Sequence, residues 1–285
     1  MAAVGLTLHH ERGQAVELAL DAADWLEERG HEVRLPLHDA GLIGRPELGF
    51  AEATFPRGVD VALSLGGDGT MLRTVGLVAR DGVPVIGVNI GQLGYLSEVE
   101  PSGIRMALKR FLAGSYEIEE RMLLEVAVDA QAFEGGPSHL ALNEAVLEKT
   151  PMGHTVRLSV SVDGEVFTPY AADGLIVATP TGSTAYAFSA RGPIVEPTHR
   201  CLLLTPVSPH MLFDRSLVLA PSARLRIEVI GHRAATLSVD GSNLGTLRAG
   251  DSVTCTGSET TARLVAFGPR QFLRILKSKF GLSDR

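Results

Sequence analysis

Apolar residues alternate with smaller or polar ones from Val59 to Leu65, where Val59, Val61, Leu63 and Leu65 share one parity. After a glycine-rich break the spacing becomes helical, with Met71, Leu72, Val75 and Val78. A period of two followed by a period of 3.6 predicts a buried strand, a sharp turn and a helix. The turn is Gly66-Gly67-Asp68-Gly69-Thr70. Upstream, Val4–Leu8 reads as a strand. Gln14–Arg29 reads as a helix with Val16, Ala19, Leu20 and Ala23 on one face and Gly30 as its stop. His31–Leu37 reads as a second strand. His38–Arg57, rich in Gly and Pro, reads as irregular chain and a mobile flap. Downstream, Pro84–Asn89 predicts a strand, and Ser102–Ala113 a helix that buries Ile104, Ala107, Leu108 and Phe111. Strands alternating with helices imply an α/β domain with a mostly parallel sheet and a ligand site outside the strand ends.

From about Ile118 the pattern changes to segments of period two joined by turn residues. Leu158–Val162, Asp163-Gly164 and Val166–Thr168 read as a hairpin. Arg224–Ile230, Leu237–Val239 before Asp240-Gly241, and Ser252–Thr256 read in the same way. Ser-Val-Asp-Gly occurs twice, at Ser161 and Ser238, as two hairpin turns of one type rather than a repeat. The expected organisation is an α/β domain over 1–117 and a β-rich domain over 118–262. A C-terminal segment over 263–285 then returns to the first domain. Its basic amphipathic stretch, Gln271–Phe280, is expected to be a helix packing back on the protein.

A chain of 285 residues suits two domains, and 45% apolar content is ample for their cores. A net charge of −7 argues against a general nucleic-acid surface, but a local cradle can still bind an anion. Cys201 and Cys255 form no Cys-x-x-Cys pair, so structural zinc is not expected. The chain shows neither a signal pattern nor an apolar run of membrane-spanning length, which reads as a cytoplasmic protein without a membrane role.

The glycine-rich turn is the first candidate for chemistry. Backbone N–H groups at such a turn and helix start cradle phosphate, here from Gly66, Gly67, Gly69 and Thr70. Asp68 would repel that phosphate, so its task is to hold a metal or to accept a proton. The plain alternative is a tight loop with Asp68 capping the helix. A nucleophile elbow is excluded because Ser64 lies within the strand pattern, not on the turn. P-loop, Rossmann and His-Glu-x-x-His motifs are all absent, and no set of metal ligands is predicted. A second candidate runs from Asp173 to Pro193. There Gly174–Ala178 is strand-like, Thr179–Thr184 is hydroxyl-rich around Pro180 and Gly182, and Ala185–Ala190 starts a helix capped by Ser183 or Thr184.

Gly-Gly-Asp-Gly-Thr after a strand resembles the phosphate motif of NAD kinases, shared with diacylglycerol-type lipid kinases and related to phosphofructokinases. The Asp173-Gly174 stretch with Thr179-Pro180-Thr181-Gly182-Ser183-Thr184-Ala185-Tyr186 resembles the NAD kinase family specifically. Asn143-Glu144, Gly91–Leu96, Thr205–His210 and Ser238–Gly241 resemble further segments of that family, in family order. The resemblance implies Asp68 as catalytic base and Gly69 against the dinucleotide diphosphate. Asn143 and Glu144 would hold the adenosine part of NAD, and Asp173 the nicotinamide carboxamide. Thr184, Ala185, Tyr186 and Ser189 would line the NAD site, and Arg73 and His154, which match family positions by spacing and type, would bind NAD as well. It further implies ATP or polyphosphate as donor, Mg²⁺ held mainly by phosphate oxygens, and a homodimer or homotetramer. Departures fall at Ala171, Ala172, Ala178, Arg191 and Ser242, and bear on the nicotinamide end and on NADH use. The rival readings are a lipid or sugar kinase of the same superfamily and a non-catalytic NAD(P) sensor.

Overall fold

The computed structural model describes residues 1–91, 94–130, 133, 138–150, 154–268 and 272–282. The chain divides into two compact units, one of residues 1–120 with 262–285 and the other of 121–261.

The first unit alternates strand and helix: β1 (Ala3–Leu8), α1 (Gly13–Glu27), β2 (Glu32–Pro36), α2 (Leu37–Leu42) and β3 (Gly49–Phe50). There follow β4 (Val61–Gly66), α3 (Asp68–Val78), β5 (Val85–Asn89) and α4 (Ile104–Leu112). The strands run in the order β3-β2-β1-β4-β5, all parallel. β1 and β4 are buried at every position, as strands covered on both faces must be. Ala19, Ala22, Ala23 and Leu26 of α1 and Ala107 and Leu108 of α4 close over Leu6, Leu63 and Ile86. Gly30 ends the α1 region with φ 74°, a left-handed conformation that favours glycine. The segment expected to be irregular, His38–Arg57, is instead ordered. It holds most of α2, a 3₁₀ turn at Pro46–Leu48 and the two-residue strand β3 paired to Leu35 and Pro36. Buried Ala40, Ile43, Leu48 and Phe55 anchor it, so scattered apolar contacts override its glycine and proline content.

Strand order reverses between β1 and β4. The chain leaves β1 for β2 and β3 on one side, then returns to β4 and β5 on the other. Such a switch point opens a crevice at the carboxyl ends of the two strands. The residues after β1 and after β4, His9–Arg12 and Gly67–Thr70, therefore face one crevice.

Among the described residues the strands of the second unit pair antiparallel, with a 3₁₀ turn at Thr181–Thr184 and a turn of α-helix beside them. It contains β6 (Glu117–Asp129, beginning in the first unit), β7 (Ser138–Ala141), β8 (Glu144–Lys149), β9 (Val156–Val162), β10 (Glu165–Ala172) and β11 (Gly174–Ala178). α5 (Tyr186–Ser189), β12 (Leu202–Val207), β13 (Leu217–Leu219), β14 (Leu225–Val229), β15 (Ala235–Val239), β16 (Ser242–Leu247) and β17 (Ser252–Ala266) complete it, with β17 ending in the first unit. One sheet has the order β13-β12-β11-β8-β15-β16, and β10, β9, β14 and β17 pair in a second. Period-two alternation sends Leu147, Leu175, Val177 and Leu204 into a core shared with Leu158, Ile227 and Val253 of the second sheet. The opposite parity, Val146, Ile176, Ala178 and Leu203, packs with Ala187 of α5. Both Ser-Val-Asp-Gly tetrapeptides are hairpin turns with positive φ at Asp163, Gly164, Asp240 and Gly241. The C-terminal helix α6 (Phe272–Phe280) belongs to the first unit, where Lys279 Nζ lies 5.4 Å from the Tyr95 ring centroid. Gln271, at the expected start of that helix, lies outside the described residues. Among the described residues no helix is long and apolar enough to cross a membrane.

Candidate active site

In the first unit the turn after β4 carries Asp68 at the first position of α3. Gly67 precedes it without a side-chain cap, so the first N–H groups of the helix stay available to a ligand. Asp68 does not cap its own helix. Its carboxylate accepts the backbone N–H of Tyr95 at 3.0 Å and of Leu96 at 3.2 Å. That approach needs Gly94, because a Cβ there would stand 2.1 Å from Asp68 Oδ1. Gly66 is required too, since a Cβ would meet the Thr70 hydroxyl oxygen at 2.1 Å. Gly67 and Gly69 differ: a Cβ on either would enter open space. That space belongs to a cavity of about 420 Å³ lined by Leu8, the turn His9–Arg12, Gly67, Gly69, Thr70 and Arg73. Arg73, in the second turn of α3, is fixed by Asp39, whose carboxylate takes Nη1 at 3.1 Å and Nη2 at 2.6 Å. Arg12 donates to the Ile90 carbonyl. A helix start with free N–H groups, glycines that leave room and two guanidinium groups make a site for a phosphate chain.

In the second unit Asn143 and Glu144 sit where β8 begins. Asp240, on the hairpin turn after β15, accepts the N–H of Leu142 at 2.7 Å, Asn143 at 2.8 Å and Glu144 at 3.1 Å. Asp240 therefore holds the whole Asn-Glu turn, which its own φ of 46° aims it to do. From the other side Thr179 Oγ1 donates to the Leu142 carbonyl, and the Thr179 N–H donates to the Asn143 carbonyl at 2.9 Å. Gly182 presses on the same backbone, where a Cβ would stand 2.1 Å from the Asn143 oxygen. Glu144 is only 8% exposed, and its Oε2 has no hydrogen-bond partner among the described residues. Burial, then the charge of Asp240, pushes its carboxyl up to about 7, against the Tyr186 N–H that pulls it down. An orphaned buried carboxylate oxygen is costly unless a ligand's O–H or N–H completes it. Asp173, between β10 and β11, pairs with Lys149 Nζ at 2.8 Å.

Residues 4–116 match the family model of the ATP-NAD kinase N-terminal domain, and residues 142–267 that of the C-terminal domain. The chain belongs to the NAD kinase family. It is 44% identical to the NAD kinase of Heliobacterium modesticaldum over 281 residues, covering 98% of each chain. It is also 44% identical to that of Symbiobacterium thermophilum, covering 96% of this chain and 97% of the relative. Among solved structures, yeast NADH kinase complexed with NADH matches with a TM-score of 0.89 and 26% identity, over 100% of this chain and 89% of the other. The Archaeoglobus fulgidus NAD kinase in complex with ATP matches with a TM-score of 0.75 and 27% identity over 100% of both.

Within this NAD kinase family fold the residues singled out from sequence fall into two sets. Gly66, Gly67, Asp68, Gly69, Thr70 and Arg73 gather at the start of α3 in the first unit. Asn143, Glu144, Asp173, Thr184, Ala185, Tyr186 and Ser189 lie on the second, with Tyr186 linked to Glu144 through its N–H. His154, also on the second unit, is exposed. The expected helix cap is not made. α5 begins without a side-chain cap, because Ser183 Oγ bonds both backbone groups of Val195 and Thr184 Oγ1 bonds the Thr181 carbonyl. Ser64 is buried inside β4, as its place in the strand pattern required. Sequence reasoning missed Asp39, Gly94, Lys149 and the use of Asp240. Only Gly94 and Asp240 carried a signal, each lying in a segment noted for its resemblance; Gln92 and Leu93 of the first such segment lie outside the described residues.

Proposed function

We propose that this chain transfers the terminal phosphoryl group of ATP, taken as its Mg²⁺ complex, or of polyphosphate, to the adenosine 2′-hydroxyl of NAD, forming NADP. The observation that carries this reading is the Asp68 carboxylate, fixed by two backbone N–H groups at a helix start whose Gly67, Gly69 and Thr70 line a cavity of about 420 Å³ together with Arg12 and Arg73. The 2′-oxygen bonds to the terminal phosphorus, the bond from phosphorus to the bridging oxygen breaks, and ADP or a shortened polyphosphate leaves. Asp68 accepts the hydroxyl proton. Gly67, Gly69 and Thr70 cradle phosphate, Gly66 gives Thr70 its room, and Arg73 offers charge to phosphate oxygens. Such a transfer depends on positioning and charge neutralisation. Among the described residues the cavity lining offers Glu11 as its one carboxylate, so the donor set suits a Mg²⁺ carried by phosphate oxygens rather than a protein cage.

On the second unit Asn143 and Glu144 hold the adenosine part, the orphaned Oε2 of Glu144 taking a donor from it. Asp173, with Lys149 beside it, accepts the carboxamide N–H₂, while Thr184, Ala185, Tyr186, Ser189 and His154 line the rest. The yeast kinase complexed with NADH and the Archaeoglobus kinase in complex with ATP support NAD(H) and ATP as ligands. The same reading makes the protein a cytoplasmic homodimer or homotetramer. A lipid or sugar kinase would have no use for the Asp173–Tyr186 stretch, and a bare NAD(P) sensor none for Asp68. The test is pure protein with NAD, Mg²⁺ and either ATP or polyphosphate, assayed with an NADP-specific dehydrogenase. NADP accumulation is expected with at least one donor. NAD binding without NADP formation under either donor would leave the sensor reading.

A further inference from the structure

Asp39 is 0% exposed, and a buried carboxylate persists only where donors and a cation surround it. Its Oδ2 accepts the Leu8 N–H at 2.9 Å and Arg73 Nη2 at 2.6 Å. Its Oδ1 accepts Arg73 Nη1 at 3.1 Å and bonds His10 Nε2 at 2.9 Å. Arg73 Nη2 also donates to the Leu8 carbonyl at 2.9 Å. One carboxylate on α2 thus ties together the end of β1, the turn after it and the second turn of α3. Leu8, His10 and Arg73 all line the cavity; Asp39 stands behind them and does not. Three of the five Arg73 N–H groups are used in these bonds, which among the described residues leaves Nε–H and one Nη1–H for anions.

We propose that Asp39 is a positioning residue for phosphoryl transfer, holding Arg73 and His10 on the cavity wall so that both meet the donor's phosphate chain. The role rests on reading the cavity as the phosphate site. A guanidinium gripped through two parallel N–H···O bonds has one orientation, whereas an untethered Arg side chain has many. Charge alone makes the opposite forecast. Removing the Asp39 charge leaves Arg73 unneutralised and would strengthen anion binding if orientation did not matter. A metal role is the other use of these groups, since ligand atoms of His10, His38 and Asp39 lie within 4.8 Å of one another. Both Asp39 oxygens already face Arg73, however, and a divalent ion there would meet a guanidinium.

The experiment compares full-length wild type, Asp39→Asn, Arg73→Gln and the double variant. Steady-state kinetics would be run separately in ATP and in NAD, with inorganic tripolyphosphate binding followed by calorimetry. Losing charged hydrogen bonds to phosphate should weaken tripolyphosphate and raise the ATP KM by roughly 10- to 150-fold in Asp39→Asn, a larger loss than any in NAD affinity. The double variant should lose less donor affinity than the sum of the two single losses, any excess over Arg73→Gln alone reporting the hold on His10. Should Asp39→Asn fail to fold, Arg73→Lys serves. It keeps the charge without the fork, and should lose donor affinity nearly as far as Arg73→Gln. Unchanged or tighter tripolyphosphate binding in Asp39→Asn, full activity in Arg73→Lys, or additive losses would overturn the proposal. So would Zn²⁺ raising the wild-type Tm through His10, His38 and Asp39. Wild type that makes no NADP overturns the parent reading instead, so the two failures are distinguishable.

Discussion

At the scale of single residues, two carboxylates differ in how far donors meet their oxygens. Asp68 is held by two backbone N–H groups, so Asp68→Asn changes two things at once. The amide cannot take the proton, and general-base help is worth about 10²–10⁴ in rate. Its NH₂ must also face one backbone N–H, leaving that donor unmet at a cost of about 1–3 kcal/mol. We expect turnover down by roughly the first factor and a lowered Tm, read by NADP formation and thermal melting. A lowered Tm with turnover intact would reduce Asp68 to a structural acceptor. Glu144 is the reverse case, a carboxyl short of donors and raised to about 7 from an ordinary 4.5. Between those values the folded protein binds more protons than the unfolded chain. The resulting stabilisation is complete below about 4.5 and is lost as pH rises through 7. Ligand donors favour the ionised form, so NAD should bind with release of up to one proton. Its affinity should fall about tenfold between pH 8 and pH 6, the ionised fraction setting the scale. Calorimetry in buffers of different ionisation enthalpy reads this directly, and Glu144→Gln should abolish it.

At the scale of elements, the glycines near α3 separate by what surrounds them. Gly94 faces the Asp68 carboxylate and Gly67 faces open cavity, although both look alike in sequence. Gly94→Ala should push Asp68 aside, and a displacement of this order costs about 10²-fold in turnover. Gly67→Ala, at an ordinary φ of −105°, should leave the Tm unchanged and raise the donor KM by crowding the cradle. Parallel measurement of Tm, turnover and ATP KM for the two variants checks the distinction. Equal effects would mean that the segment ending at Leu96 and the cradle are not separate devices. The hairpin turn at Asp240 works similarly, since its geometry exists to deliver one carboxylate to three N–H groups of the Asn143–Glu144 turn.

At the scale of the molecule, β10 forms one edge of its sheet and leaves Val166 67% and Phe167 42% exposed, with Phe213 edge-on to Phe167. An apolar edge strand invites a partner, and a second copy of the chain is the commonest one. Light scattering should find a dimer or tetramer at micromolar concentration, and Phe167→Glu should shift it toward monomer. A monomer in the wild type would contradict this expectation.

The sequence by itself determined most elements of the fold, because two local periods are enough to specify them. Runs of alternating apolar residues gave β4 and β9, a continuous apolar run gave β11, helical spacing gave α1, α3 and α4, and Asp-Gly pairs gave the hairpins. It also marked the Asp68 turn and the Asp173–Tyr186 stretch, since glycine and hydroxyl clusters are local signals, whereas Asn143–Glu144 was marked only by its resemblance to a family segment. Tertiary structure alone decided what each group touches. Asp39 meets Arg73 across 34 residues, and Asp68 meets Leu96 across 28. Asp240 meets Asn143 across 97. The ordered α2–β3 segment belongs to the same class, since its anchors Ile43, Leu48 and Phe55 have no periodic spacing to announce them. Such pairings depend on which strand ends the topology sets side by side, and no local pattern encodes that distance.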